Sequence, residues 1–304
     1  MTQTRILAGV TLVLAIAVLF FAGVQEAQTL KQAPSTVFVN VAVTGEKDAY
    51  VSALKPEHFQ ILEDNKPQKI TYFSADNGPW NIGIILGVST LLPGSADQVS
   101  QHIRGAVSAF QKTGNPDNKY FVDELRFGSD GIFDAMSRGL VRLSQGAGPR
   151  KALLVITDGF DTTDGDPGHA LLEFAKKLSN IPLYLVYVRS GSAGTNLSLE
   201  EVGRGQQYHL SGGRVFEEIA SATGGYMTSA SAEYELDALC KRIATELKSQ
   251  YVIGFNSTND TKLGTWRKLS VKLTPPKEQA KAKARLKSRY FAPKPEAANT
   301  SGRN

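Results

Sequence analysis

A chain of 304 residues with 41% hydrophobic content and a formal net charge of +5 is long enough to bury one large core or two ordinary ones. A single cysteine, Cys240, excludes intrachain disulfides and cysteine-rich metal sites, and the four histidines (His58, His102, His169 and His209) lack metal-ligand spacing. The charge is uneven: from Lys262 onward there are 12 Lys/Arg against 2 Asp/Glu, which leaves the preceding part at net −5.

Arg5 precedes an uncharged run, Ile6–Val24, long enough to cross a bilayer. Residues 1–27 therefore read as a cleaved export signal or an uncleaved N-terminal anchor, and Arg5 orients the following body outward. The expected location is periplasmic, secreted, or tethered to the membrane with the body outside. A polar linker follows over 28–35.

From residue 36 to 78 the pattern is β. TVFVNVAVTG alternates, with Val37, Val39, Val41 and Val43 on one side, and HFQILED, NKP and QKITYFSA read as strand, turn and strand. From Trp80 the period changes. NIGIILGVS is an unbroken apolar run, as expected of a strand covered on both faces. Next comes a helix in which Val99, Ile103, Val107 and Phe110 share one face, then a short strand in KYFVDELRF, then a helix, GIFDAMSRGLVRLSQ, ending at Gly146. KALLVITDG is a second buried strand, HALLEFAKKLSN a helix, and IPLYLVYVRS a third buried strand. VFEEIASAT is a helix closed by Gly224-Gly225, YMTSA an edge strand, and EYELDALCKRIATELKSQ a long amphipathic helix in which Cys240 is a small buried apolar residue.

Strands alternating with helices predict an open, mostly parallel sheet wrapped on both sides, whose ligands bind outside the carboxyl ends of the strands. After Gln250 the pattern returns to β in YVIGFNST, WRKLSVKLTPP and AKARLKSRYFAP. The two flanking β segments, 36–78 and 250–293, are expected to pair into one sandwich around an inserted α/β domain at 79–249. Residues 294–304 form a tail predicted to be disordered.

The strongest polar signal is TDGFDTTDGD. Asp158 directly follows a strand and points to the sheet-edge cleft, whereas Asp161, Asp164 and Asp166 read as loop, helix-cap and turn residues. The spacing lacks the closing Glu of an EF-hand. Enzymatic signals are absent: GVSTL is not G-x-S-x-G, no histidine is tied to Ser89, no D-x-D ends the first strand, and GSAGTN is an ordinary loop. The residues are therefore read as non-catalytic.

The ordered motifs resemble the von Willebrand factor type A domain, specifically the bacterial exported VWFA-related family known from Acidobacteria. HFQILEDNKPQKITYFSA is similar to that family's opening β motif, GSDGIFDAM to its GGTALYDAI segment and KALLVITDGFDT to its RKALLVLTDGxD. FEEIASATGGYM resembles LxxLAxxTGG, IATELKSQYVIGF the closing helix and strand, and WRKLSVKL with ARLKSRYFAPK the final β pair. The resemblance covers nearly all of the chain after the export segment. It implies a von Willebrand factor A-like, Rossmann-type α/β fold plus a sandwich from the flanking segments.

In type A domains a divalent ion sits at the sheet edge, held by an Asp-x-Ser-x-Ser loop, a threonine and an aspartate. Carried over, the first loop here reads Gly87, Ser89 and Leu91, the threonine position is Asp130, and the aspartate is Asp158. The implied site is thus a degenerate one made of Ser89, Asp130 and Asp158. The expectation is no cofactor, or at most Mg²⁺ or another divalent cation weakly bound. A second departure is length: the span around NPDNKYFVDELRF has room for little more than one strand, so one wall of the cleft should be lower or one helix missing.

The function these residues imply is an exported, non-enzymatic protein-binding module, an adhesion or scaffold domain with an unidentified protein partner. The alternative is an envelope structural component whose basic C-terminal β module contacts anionic lipid or wall polymer. The plainer account of those lysines is that they line the wet face of strands. No nucleic-acid partner is expected, and a hydrolase is the third reading.

Overall fold

The computed structural model describes residues 36–87, 96–125, 131–159, 166–178, 180–188, 213–259 and 263–292, the side chains of 96–100 and 233 apart. All lie in the compact unit Ser35–Asn304, while the apolar N-terminal run and the C-terminal tail fall outside the described residues. Among the described residues no helix is long and apolar enough to cross a membrane.

Five parallel strands make the central sheet: β5 (Asn81–Gly87), β6 (Lys119–Glu124), β7 (Lys151–Thr157), β8 (Leu183–Val188) and β9 (Tyr226–Ala230), in the order β6-β5-β7-β8-β9. The apolar runs are explained by burial on both faces. Ile82, Ile84, Leu86, Leu154 and Ile156 face α1 (Ala96–Thr113) and α5 (Leu236–Ser249), where Ile103, Phe110, Cys240 and Ile243 meet them. Ile85, Leu153, Val155 and Leu185 face the other layer, made of α2 (Ile132–Gln145), α3 (Pro167–Lys177) and α4 (residues 213–223). Period two in the strands thus feeds two separate cores.

The predicted edge strand, Tyr226–Ala230, is at one edge of this sheet, and Gly224 before it has φ +91°, the left-handed turn expected there. The other edge is β6. Only residues 125–131 separate β6 from α2, and among the described residues no strand pairs with the outer side of β6. Val122 on it is 46% exposed. This is the shortened side anticipated from the sequence.

The remaining strands are β1 (Thr36–Thr44), β2 (Phe59–Glu63), β3 (Lys66–Gln68), β4 (Ile70–Ser74), β10 (Tyr251–Asn256), β11 (Thr265–Leu273), β12 (Lys283–Arg285) and β13 (Arg289–Ala292). They form two antiparallel sheets, β12-β1-β10-β4 and β13-β11-β2-β3. Val39, Val41 and Val43 of β1 meet Ile61, Ile253, Leu269 and Tyr290 between them. β1 pairs antiparallel with β10, Val39 opposite Ile253, so the two ends of the chain build one sandwich.

The β segment AKARLKSRYFAP is divided into two strands in different sheets, β12 beside β1 and β13 beside β11. The break falls at Lys287, whose side chain is buried and whose ammonium donates to the carbonyls of Lys176 (3.0 Å) and Leu178 at the C-terminus of α3. A lysine satisfying orphan helix carbonyls cannot also stay in a strand face, and the chain changes sheets there.

Candidate functional site at the carboxyl edge of the sheet

The chain leaves β5 toward β6 on one side and later reaches β7 on the other, so strand order reverses between β5 and β7. Crevices form outside the carboxyl ends of strands at such a switch point. Here the two strand ends are Gly87 and Thr157.

Their geometry is fixed by one hydroxyl. Thr157 Oγ1 donates to the Gly87 carbonyl at 2.8 Å and accepts from the Gly159 N–H at 2.9 Å, so it ties the end of β5 to the turn after β7. Thr157 is fully buried and Asp158 is 2% exposed. Gly159 has φ +78°, and a Cβ there would meet Cε2 of Tyr187 at 2.7 Å, because the end of β8 lies over this turn. On the α2 side the floor is apolar: Phe133 stacks on Phe216 with ring centroids 4.9 Å apart.

Gly87 is the residue that the sequence resemblance sets against the first-loop aspartate of type A domains. A Cβ built on it would meet Ile132 Cδ1 at 2.6 Å, closer than real Cβ atoms come, and Leu125 Cδ1 at a tight 3.0 Å. The space a carboxylate would need is filled by α2 and the residue after β6. Of the three residues carried over as ligands, Asp158 is at this edge; Ser89 and Asp130 lie outside the described residues, as do Leu91, Asp161 and Asp164. Among the described residues this edge offers one carboxylate, the buried Asp158. By itself that donor set does not fit a hard cation, which wants six or more oxygens around it. Among the described residues no group of three His, Cys, Asp or Glu side chains is placed to hold a metal.

Asp166 is the N-cap of α3. Its Oδ1 accepts from the His169 N–H at 3.1 Å, and the bonds from His169 hold its carboxyl below the usual carboxylate range. Cys240 is fully buried in the α1/α5 core, and desolvation pushes its thiol up to about 12, an inert group as expected.

Sequence reasoning missed the densest polar cluster. Glu246 of α5 is 2% exposed; its Oε1 accepts from Tyr184 Oη at 2.7 Å, Gln250 Nε2 at 3.0 Å and Arg285 Nη2, and its Oε2 accepts from Tyr50 Oη at 3.0 Å. Arg285 Nη1 also donates to the carbonyls of Gly224 and Gly225. The cluster joins β8, α5, β12 and the turn after α4, so it locks the sandwich to the α/β layer. In the sequence Glu246 is one more charge on an amphipathic helix, with nothing to mark it as buried. A second cluster, Glu63–Arg267 at 2.8 Å with Ser257 and Tyr290, is internal to the sandwich.

No family model matches the chain, and no curated protein matches it. Solved structures do. One is a von Willebrand factor type A protein from Catenulispora acidiphila, with a TM-score of 0.38 and 10% identity, covering 87% of this chain and 75% of that one.

Proposed function

We propose that this chain is an exported, non-enzymatic protein-binding module, of adhesion or scaffold type, that engages its partner at the carboxyl edge of the parallel sheet. The observation that carries this reading is the coincidence of the switch point between β5 and β7 with the Gly87–Thr157–Asp158 junction. The filled space beside Gly87 supports a degenerate metal site, so partner binding on this reading runs without a resident cation. Export rests on the apolar run Ile6–Val24 behind Arg5.

The test uses the full chain as bait against envelope extract, with cross-linking, in Mg²⁺ and in EDTA. A specific partner captured equally in both, and lost in an Asp158→Asn variant that keeps its near-ultraviolet dichroism, is the expected result. Capture that ignores changes at this edge sinks the proposal. Turnover of a hydrolysable substrate that disappears in Asp158→Ala without unfolding would replace it with an enzymatic reading.

A further inference from the structure

The outer face of the sheet β13-β11-β2-β3 does not look like an ordinary wet strand face. Arg267 and Leu269 of β11 and Tyr290 and Ala292 of β13 point into the sandwich, which leaves Trp266, Lys268, Ser270 and Lys272 with Arg289 and Phe291 outside. Register sets Trp266 opposite Phe291 and Lys268 opposite Arg289. The two rings meet edge to face with centroids 5.4 Å apart. Trp266 is 37% exposed and Leu263, in the turn that enters β11, is 38% exposed. Lys268, Lys272 and Arg289 are exposed. No outward position of the four strands is a carboxylate; Glu63 faces inward, and Asp64 lies in the turn after β2, accepting the Lys268 N–H at 2.9 Å.

One end of the face is thus aromatic and apolar, and the rest is a cationic field. Packing on Phe291 covers part of Trp266, yet 37% of the tryptophan's surface stays in water beside the exposed cations. A soluble polyanion would need only the cations. A bilayer surface takes both, because tryptophan settles at the boundary between headgroups and chains while lysine and arginine meet the phosphates. We infer that this face docks on an anionic phospholipid surface, with Trp266 and Phe291 entering the headgroup zone and Lys268, Lys272 and Arg289 lying over the phosphates. The inference does not rest on the sheet-edge reading: the strands are different, and either can fail alone.

Trp266 is its own reporter, since the other tryptophan, Trp80, is 1% exposed in the α/β core. The full chain is added to vesicles of phosphatidylcholine alone and of phosphatidylcholine with phosphatidylglycerol in equal parts. Tryptophan emission is recorded with and without brominated acyl chains, and Trp266→Phe supplies the Trp80 background. Docking predicts a blue shift and bromine quenching in the anionic vesicles only. Lys268→Gln with Arg289→Gln should weaken it about 25-fold, roughly fivefold per cation, and added salt should do likewise. Both variants are at exposed positions, and near-ultraviolet dichroism checks that they fold. Equal emission in neutral and anionic vesicles overturns the inference. So does a shift produced by soluble polyglycerol phosphate with no quenching by brominated lipid, which would assign the face to a wall-type polymer.

Discussion

Arg285 of β12 and Glu246 of α5 form an ion pair across the join between the sandwich and the α/β layer. Glu246 is nearly inaccessible, and its two oxygens are shared among the arginine, two tyrosines and Gln250. Removing one partner strands the other in a medium that solvates charge poorly. Arg285→Met should therefore destabilise the chain by on the order of 3 kcal/mol, read from urea unfolding. The paired change Arg285→Met with Glu246→Leu should cost less than Arg285→Met alone. A null effect of the single change would mean that water reaches the pair.

Alkaline pH should loosen the same region. Burial, and after it the Glu246 carboxylate, pushes Tyr50 up to about 12. Burial and the bond to Glu63 do the same for Tyr290. A phenol raised in the folded state stabilises it fully below the ordinary value near 10, and that contribution is lost as pH climbs from about 10 through about 12, where the unfolded chain ionises first. Absorbance titration of tyrosine should show a late class that appears together with unfolding.

Lys287 gives the opposite slope at lower pH. Burial pulls its ammonium down to about 8. Below that value the charge is present in both states and its desolvation cost is complete. Between about 8 and 10 the folded protein gives up the proton first, so stability should rise with pH before the tyrosines reverse it. Lys287→Met should flatten this rise in urea midpoints measured across that window.

The close approach of Ile132 to Gly87 predicts that an aspartate placed there, as type A domains have one, will not create a metal site. Gly87→Asp forces a side chain against Ile132 Cδ1 and buries a charge, a change worth roughly 2–3 kcal/mol of stability. Mg²⁺ should not raise its melting temperature. Adding Ile132→Ala should recover about 1 kcal/mol or more relative to the sum of the single changes, because the two residues compete for one volume.

Thr157→Val removes the hydroxyl that joins the Gly87 carbonyl to the Gly159 N–H while keeping its shape. The expected loss is about 1–2 kcal/mol, with a buried carbonyl and N–H left unpaired. Hydrogen exchange should quicken at Gly159 more than in the sandwich. Uniform quickening would show that the hydroxyl holds the whole sheet and not this junction.

By itself the sequence determined the layers. Unbroken apolar runs such as NIGIILG and KALLVIT are satisfied by strands with cover on both faces, and alternation in TVFVNVAVT marks the valines that face the sandwich core, although Asn40 and Ala42 on the other side of β1 are buried as well. It also located the single strand of the shortened side and the aspartate after β7, since each is a local property of a few neighbouring residues. The tertiary structure decided what was distant in the chain. That Ile132 packs into the space beside Gly87, that Lys287 reaches the end of α3, and that Glu246 is buried among Tyr184, Tyr50 and Arg285 are relations between residues 39 to 196 positions apart. Periodicity records which way a side chain points. It carries no record of what the rest of the chain brings to meet it.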